Sequence, residues 1–464
     1  MSTTPRFQCA DFDPSPLGQP LKFSFSGRSA PNRFLKGAMS ERLASFSLAD
    51  VESRGIPSHE LIQAYKIWGE SNIGINLTGN VMIDPDHLEA AGNTAIPRNA
   101  EFSGLRFERF RELATAGKAK GSLIIAQVGH PGRQTPGDIQ PNPISASDVQ
   151  LTSSSLGKGF GKPRPATKED IANVIDGFAH AAEYLEKAGF DGIELHGAHG
   201  YLLSQFLSPT TNLRTDDYGG DLKNRMRLIL EVRDEIAKRV SDKFVVGIKV
   251  NSVEFQENGF QPEEAKELCK ALEEHKFDFV ELSGGTYEKW VQVDAQRQST
   301  VSREAVSRAD HTILQFTNIS PQFFLEFARA VVPGLSKTKS YVTGGFKTVE
   351  GMVGALDTVD GVGLGRPLCQ EPTFCNQILS GQIKGAMLQK LDLEQFSVTA
   401  GAAGLQIKQM GQNLQPIDLS VEGNVAKLFG GLMKWKAEQD KNAEIYQFPA
   451  LDDYSLAYDG TQVV

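Results

Sequence analysis

The stretch TKEDIANVIDGFAHAAEYLEKAGFDGIELHGAHGY, Thr167 to Tyr201, holds a helix, a stop and a strand, and it ends in a run of chemically active side chains. Thr167-Lys-Glu-Asp170 has the form of a capping box, in which a hydroxyl and an acid three residues apart satisfy the free N–H groups of a helix start. Apolar residues at helical spacing then run from Ile171 to Ala188, and Gly189 is a plausible stop, since glycine accepts the left-handed conformation that ends helices. Gly192–His196 is a short apolar run of strand length. Beyond it stand His196, His199 and Tyr201 in six residues.

The same alternation recurs along the chain. Candidate strands are Arg33–Gly37, Ile73–Thr78, Ser122–Gln127, Gly192–His196, Val245–Val250, Phe277–Leu282, Ser340–Thr343 and Gly361–Leu364. Helical patterns lie between them. Ser58–Glu70 carries Leu61, Ile62, Tyr65 and Trp68; Asp221 caps a helix through Arg239; and Gln261-Pro262-Glu263-Glu264 puts proline at a first helical position. Strands alternating with helices make a parallel sheet. Eight of them predict an α/β fold of the closed (β/α)8 TIM-barrel kind, because doubly wound sheets more often have fewer strands. The barrel is expected over residues 1–385. Residues 386–464 are expected to be a C-terminal extension, partly helical, above all at Val421–Asp440. Two connections are long for a compact domain and so read as functional: Pro131–Pro165, with six prolines, and Gly285–Ile319, with Arg297, Arg303 and Arg308.

Composition narrows the partners. The formal net charge of −9 argues against a nucleic-acid or anionic-membrane surface. The cysteines Cys9, Cys269, Cys369 and Cys375 form no C-x-x-C pair, which fits a reducing compartment. No apolar run has the length of a membrane helix, and the start of the chain has no secretory pattern, so a cytoplasmic protein is expected. The glycosylation patterns at Asn76 and Asn318 are then chance matches. A small-molecule substrate is the expected partner, and a homo-oligomer is allowed.

Active sites of such barrels lie at the carboxyl ends of the strands. Reading those ends in order collects Ala38-Met39-Ser40, Gly79-Asn80, Gln127 to His130, His196 to Tyr201, Lys249 to Asn251, Gly284-Gly285, Gly344-Gly345 and Gly365-Arg366. On residue type alone, several chemistries remain open. Lys249 suits a Schiff-base aldolase. His130, His196 and His199 suit a metal-dependent hydrolase. A non-catalytic ligand-binding barrel is a third reading. Gly157-Lys-Gly-Phe-Gly-Lys162 is glycine-rich but follows no strand, so it is a poor nucleotide fingerprint.

One resemblance decides among them. His196-Gly-Ala-His199-Gly-Tyr201-Leu-Leu-Ser-Gln205-Phe-Leu-Ser-Pro209, continued by Asn212-Leu-Arg214 and Asp217-Tyr218-Gly-Gly220, resembles the signature of the old yellow enzyme family of FMN-dependent ene-reductases. The resemblance extends from about Pro31 to Pro372. It includes Pro31-Asn-Arg-Phe-Leu, Thr78-Gly-Asn-Val, Gln127-Val-Gly-His-Pro-Gly-Arg133, Gly247-Ile-Lys-Val-Asn251 and Gly363-Leu-Gly-Arg-Pro367, in family order.

That resemblance implies bound FMN, with NADPH or NADH as reductant and no metal. Gly344, Gly345, Gly365 and Arg366 match a phosphate site, where glycines allow close backbone approach and arginine pairs with the anion. Lys249 matches a cation beside the flavin pyrimidine, and Gln127 an amide on its polar edge. Ala38, Met39, Ser40 and Asn80 match the remaining flavin contacts. His196 and His199 match a pair that holds the activating oxygen of an unsaturated substrate, much as an oxyanion hole would. Tyr201 matches a proton donor, and a tyrosine hydroxyl is protonated at neutral pH. Three departures concern the pocket's shape: Ala38 where many members have proline, Glu70-Ser71 in place of a glycine pair, and Gly129 where some members place an aromatic wall.

Overall fold

The computed structural model describes residues 4–152, 154–155, 158–251, 260–283, 321–392, 396–442, 444–451 and 454–460. Gly157, Gly284, Gly285, Arg297, Arg303, Arg308 and Asn318 lie outside them.

Eight parallel strands close into a barrel: β1 (Phe34–Lys36), β2 (Ile75–Met82), β3 (Leu123–Gly129), β4 (Gly192–Gly197), β5 (Val245–Asn251), β6 (Phe279–Ser283), β7 (Lys339–Thr343) and β8 (Gly361–Leu364). β8 pairs with β1 at Val362 and Phe34, and β1 pairs with β2 at Leu35 and Ile75, so no sheet edge is left between first and last strand. The expected TIM barrel is the observed fold.

The strands alternate between two cores. Inward residues Leu35, Ile75, Leu77, Leu123, Ile125, Val245, Phe279 and Tyr341 pack together at the amino-terminal half. A hairpin of Leu21–Lys22 with Ser29–Ala30 adds Leu21, Phe23 and Ala30 and closes that end. Gly247 and Gly361 leave room for the rings of Phe279 and Tyr341, which an added Cβ would meet at 2.2 and 2.3 Å. Outward residues such as Ile124, Ala126, Ile193, Leu195, Val246 and Ile248 pack instead against the helices.

The helical shell is α1 (His59–Gly69), α2 (Gly104–Gly117), α3 (Lys168–Lys187), α4 (Arg227–Ala237), α5 (Pro262–Glu274), α6 (Pro321–Val331), α7 (Val349–Ala355) and α8 (Phe374–Leu379). The capping box before α3 forms: Thr167 Oγ1 accepts from Asp170 N at 3.1 Å, and Asp170 Oδ2 accepts from Thr167 N at 2.8 Å. Gly189 follows α3 with φ +94°. Asp221 caps as expected, but the helix it starts is interrupted at Met226, giving Leu222–Arg225 and then α4.

Beyond residue 385 lie α9 (Phe396–Gly411) and α10 (Glu422–Gln439). One face of α9, with Ala403, Ile407 and Met410, belongs to the barrel's own core. Its other residues, Ala402 and Leu405, join Leu428 and Trp435 of α10 and Phe448 in a second small core, in which Trp435 and Phe448 lie 5.2 Å apart. Among the described residues no helix is long and apolar enough to cross a membrane.

Candidate active site

The carboxyl ends of the strands carry the expected residues that lie within the described part of the chain. At β4 the chain leaves the strand at Gly197 and turns through His199 (φ +56°) and Gly200 (φ +78°). Gln134 Nε2 donates to His199 O at 2.7 Å, Gln205 Nε2 to Gly200 O at 2.6 Å, and His199 N to Asn251 Oδ1 at 3.0 Å, so the turn is held from three sides. A Cβ at Gly200 would fall 2.3 Å from the Gln134 amide nitrogen, which explains the glycine.

This turn brings His196, His199 and Tyr201 together. The imidazole centres are 5.3 Å apart at 87°, and Tyr201 stacks on His196 at 4.0 Å. Burial, then the charge of Lys249, depresses the His199 pKa to about 3; burial, His199 and Lys249 depress that of His196. Both rings are therefore neutral near pH 7. His199 Nε2 meets Ser283 Oγ at 2.9 Å, whereas His196 Nδ1 is buried without a hydrogen-bond partner.

The end of β2 supplies a support for Tyr201. The β2–β3 register shifts between Leu77 and Asn80, a bulge that inserts one extra residue. Gly79 lies in it because Glu41 and Met39 press close; a Cβ would sit 2.1 Å from Met39 O. Asn80 Nδ2 then reaches the Tyr201 hydroxyl at 3.1 Å and Glu89 Oε2 at 3.3 Å. Ser40 Oγ donates to the same Glu89 oxygen at 3.2 Å, and Asn93 Nδ2 at 3.3 Å. Ser40 and Asn80, expected at the flavin, are thus joined to the proton-donor candidate through Glu89. Behind them Glu41 accepts from Tyr65 Oη at 2.5 Å and Gly79 N at 2.7 Å, which anchors the Ala38–Ser40 segment.

The centre of the site is ionic. Lys249 Nζ lies 3.0 Å from Glu281 Oε1 and 4.0 Å from Glu194 Oε1. Glu194 Oε1 also accepts from Gln127 Nε2 at 2.8 Å. Both carboxyls are fully buried.

The loops after β7 and β8 give the third sector. Gly344 and Gly345 have φ of +139° and +74°, which glycine alone adopts readily. Gly365 allows close approach of Met39, whose sulfur would be 3.2 Å from an added Cβ. Arg366 Nη1 donates to Thr399 Oγ1 at 2.7 Å, so the extension reaches this sector. Burial, then the neighbouring Arg366, lowers the Lys347 pKa to about 8. Two cations therefore converge beside a glycine turn, a setting suited to an anion.

The structure does not gather His130, His196 and His199. His130 lies with His87 and Asp84, one ligand atom of each within 4.8 Å of the others, and this is the one such group among the described residues. His87 Nδ1 already meets Asp84 Oδ2 at 2.8 Å, and His130 Nδ1 accepts from Gly132 N at 3.0 Å. That spends the His130 lone pair a metal would need. Residues that the sequence reading missed are Glu89, Glu194, Glu281, Ser283, Lys347 and Thr399. For Glu194 a signal existed: it stands two residues before His196 and so shares its face of the strand.

Comparison with known proteins identifies the family. Residues 47–325 match the NADH:flavin oxidoreductase / NADH oxidase family. The chain is 54% identical over 441 residues to the NADH-dependent flavin oxidoreductase nadA of Aspergillus parasiticus, covering 95% of this chain and 96% of that one. It is 33% identical over 368 residues to the NADH-dependent flavin oxidoreductase iccE of Talaromyces variabilis, covering 75% and 82%. Among solved structures, an old yellow enzyme homologue from Zymomonas mobilis superposes with TM-score 0.62 at 20% identity, covering 80% of this chain and 94% of that one. Morphinone reductase in complex with tetrahydroNAD gives 0.59 at 21%, covering 80% and 92%. The chain belongs to the NADH:flavin oxidoreductase / NADH oxidase family. It is an FMN-dependent oxidoreductase that takes its electrons from a reduced nicotinamide, which sets aside the aldolase and hydrolase readings.

Proposed function

We propose that this enzyme reduces activated carbon–carbon double bonds, in α,β-unsaturated carbonyls or nitroalkenes, with NADH as the electron donor. The observation that carries the reading is the cluster of two neutral imidazoles, His196 buried and His199 half-buried, with a tyrosine stacked on His196. The NADH preference is supported by the relatives from Aspergillus parasiticus and Talaromyces variabilis, both NADH-dependent flavin oxidoreductases.

The residues fit FMN. Lys347, Arg366 and the glycine turn at Gly344-Gly345 with Gly365 would hold its phosphate; Gln127 and Lys249 would meet the polar edge of its ring; Ala38, Met39, Ser40 and Asn80 would line the remainder. His196 Nδ1, buried and without a protein partner, is left for a polar atom of a bound molecule. Bound there, FMN would supply the hydride chemistry that links the reduced nicotinamide to the β-carbon of the second substrate.

The chain's own groups do the rest. Neutral imidazoles donate N–H bonds to the substrate's carbonyl or nitro oxygen, drawing electron density out of the double bond. His196 offers its unpaired nitrogen, and His199 is steadied by Ser283. Tyr201 gives its proton to the α-carbon. Asn80 donates to the Tyr201 oxygen and so steadies the phenolate that forms. We also infer a cytoplasmic location, supported by four cysteines that are all free thiols.

The test is the visible spectrum of the purified protein under anaerobic conditions. Flavin absorption bleached by NADH and restored by cyclohexenone supports the reading. A flavoprotein bleached by NADH and restored by oxygen but by no enone or nitroalkene overturns the ene-reductase assignment.

A further inference from the structure

Three ionisable side chains face the barrel interior from adjacent strands: Glu194 on β4, Lys249 on β5 and Glu281 on β6. Lys249 is in register with Glu281, and Glu194 with Gly247, one inward position lower. Their side chains are 0%, 5% and 0% exposed. Buried charge is costly unless paired, so this trio has to balance within itself. One ammonium can compensate one carboxylate, and two carboxyls this close to each other retain a proton between them. Burial and the neighbouring Glu281 raise the Glu194 pKa well above the usual range. Burial also acts to raise Glu281, but the Lys249 charge together with hydrogen bonding to Glu194, Thr343 and Lys249 outweighs it and brings Glu281 down. The resting arrangement is a Glu194 acid, a Glu281 carboxylate and a Lys249 ammonium, with no net charge. Glu194 also holds Gln127, so this one side chain fixes both residues assigned to the flavin's polar edge.

We infer that Glu194 and Glu281 are positioning residues of the flavin site, sharing one negative charge that offsets Lys249 and so keeps the reduced flavin a strong hydride donor. The inference rests on the placement of FMN proposed above, with the polar edge of its ring at Lys249. A bare cation at that place would stabilise the anionic reduced ring and make it reluctant to pass its hydride on. Removing one carboxyl leaves the other to offset Lys249 only in part, so each single variant has a smaller effect and the double variant is the informative one.

The test is the flavin midpoint potential of the holoenzyme at pH 7, measured against reference dyes. Glu194→Gln with Glu281→Gln is expected to raise it by at least a tenfold change in the oxidation equilibrium, about 30 mV for a two-electron couple, with each single variant falling between. In a Lys249→Gln background the same pair of substitutions is expected to change nothing beyond the Lys249 effect. A double variant that holds flavin at the wild-type potential overturns the inference, and so does an equal shift without Lys249. If the double variant loses flavin, Glu281→Gln alone decides: a rise supports the pair, and an unchanged or lower potential overturns it. A wild-type protein that takes up no flavin fails the FMN placement itself, which its spectrum reports before any potential is measured.

Discussion

Replacing Tyr201 with phenylalanine removes one hydroxyl and little else. The ring is 4% exposed and keeps its 4.0 Å stack on His196. Asn80 loses the acceptor 3.1 Å from its amide but keeps Glu89 at 3.3 Å. One buried donor short of a partner costs about 1–3 kcal/mol, which a domain of ordinary stability survives. The catalytic cost is larger and falls on one step. A positioned general acid contributes roughly 10²–10⁴ in rate, or about 2.7–5.4 kcal/mol at 1.36 kcal/mol per tenfold. Hydride transfer from nicotinamide needs no proton at a substrate carbon, so flavin reduction by NADH should be unchanged in Tyr201→Phe. Reoxidation by cyclohexenone should slow by that factor. Stopped-flow absorbance follows both half-reactions in the same protein. If both slow equally, Tyr201 shapes the flavin site and is not the acid; if neither slows, the proton comes from elsewhere.

Other expectations follow from the same contacts. His199 is neutral in the fold down to about pH 3, whereas an exposed imidazole titrates near 6.5. As pH falls through that window the unfolded chain takes up the proton first, so the stability tied to neutral His199 is full above about 6.5 and drains toward 3. Urea midpoints at pH 7 and pH 4.5 should therefore differ more in the wild type than in His199→Gln, and equal differences would refute this. Trp68 is fully buried, donates from Nε1 to Leu368 O at 2.9 Å, and carries Lys36 Nζ 4.3 Å from its ring centre. Trp68→Ala should cost about 3–5 kcal/mol in chemical denaturation; a loss under about 1 kcal/mol would mean the site repacks freely. Glu273 accepts from Ser336 N at 2.9 Å, Lys337 N at 2.7 Å and Thr338 N at 2.8 Å. Burial acts to raise its pKa, but the Ser336 hydroxyl, which donates at 2.6 Å, and these backbone donors outweigh it and bring it to about 2. Its contribution is complete above the unfolded value near 4.3 and is lost as pH falls through about 2. Glu273→Gln should be less stable at pH 7 by about 1–3 kcal/mol, with the gap closing near pH 2; a gap that persists there would show that the charge is not its source.

The barrel was legible because each strand is a short apolar run with turn residues at both ends. Gly192–His196 and Gly361–Leu364 were read almost to the residue. β2 was cut short at Thr78 because a glycine inside a strand reads as a break. In the fold Gly79 is part of a bulge, and the strand continues to Met82. The hairpin around Leu21 and Ala30 went unread, since two-residue strands have no period to detect. The helix from Asp221 was joined across Met226 because its apolar pattern continues while its backbone does not.

The site divides the same way. His196, His199 and Tyr201 belong to one turn, so their meeting could be read from adjacency alone. Asn80 with Glu89, Lys249 with Glu281, and Arg366 with Thr399 meet only once the barrel and its extension close. A closed barrel nevertheless constrains such meetings, because inward positions on neighbouring strands fall into common layers. Leu35, Ile125, Val245 and Phe279 fill the lower layers with hydrocarbon. An acid at Glu194, a base at Lys249 and an acid at Glu281 break that pattern on three adjacent strands within one pleat of each other. Isolated, each would be a costly buried charge, so they must be partners. The registers supply what the linear pattern lacks, and the level at which a barrel's interior stops being apolar is where this enzyme keeps its chemistry.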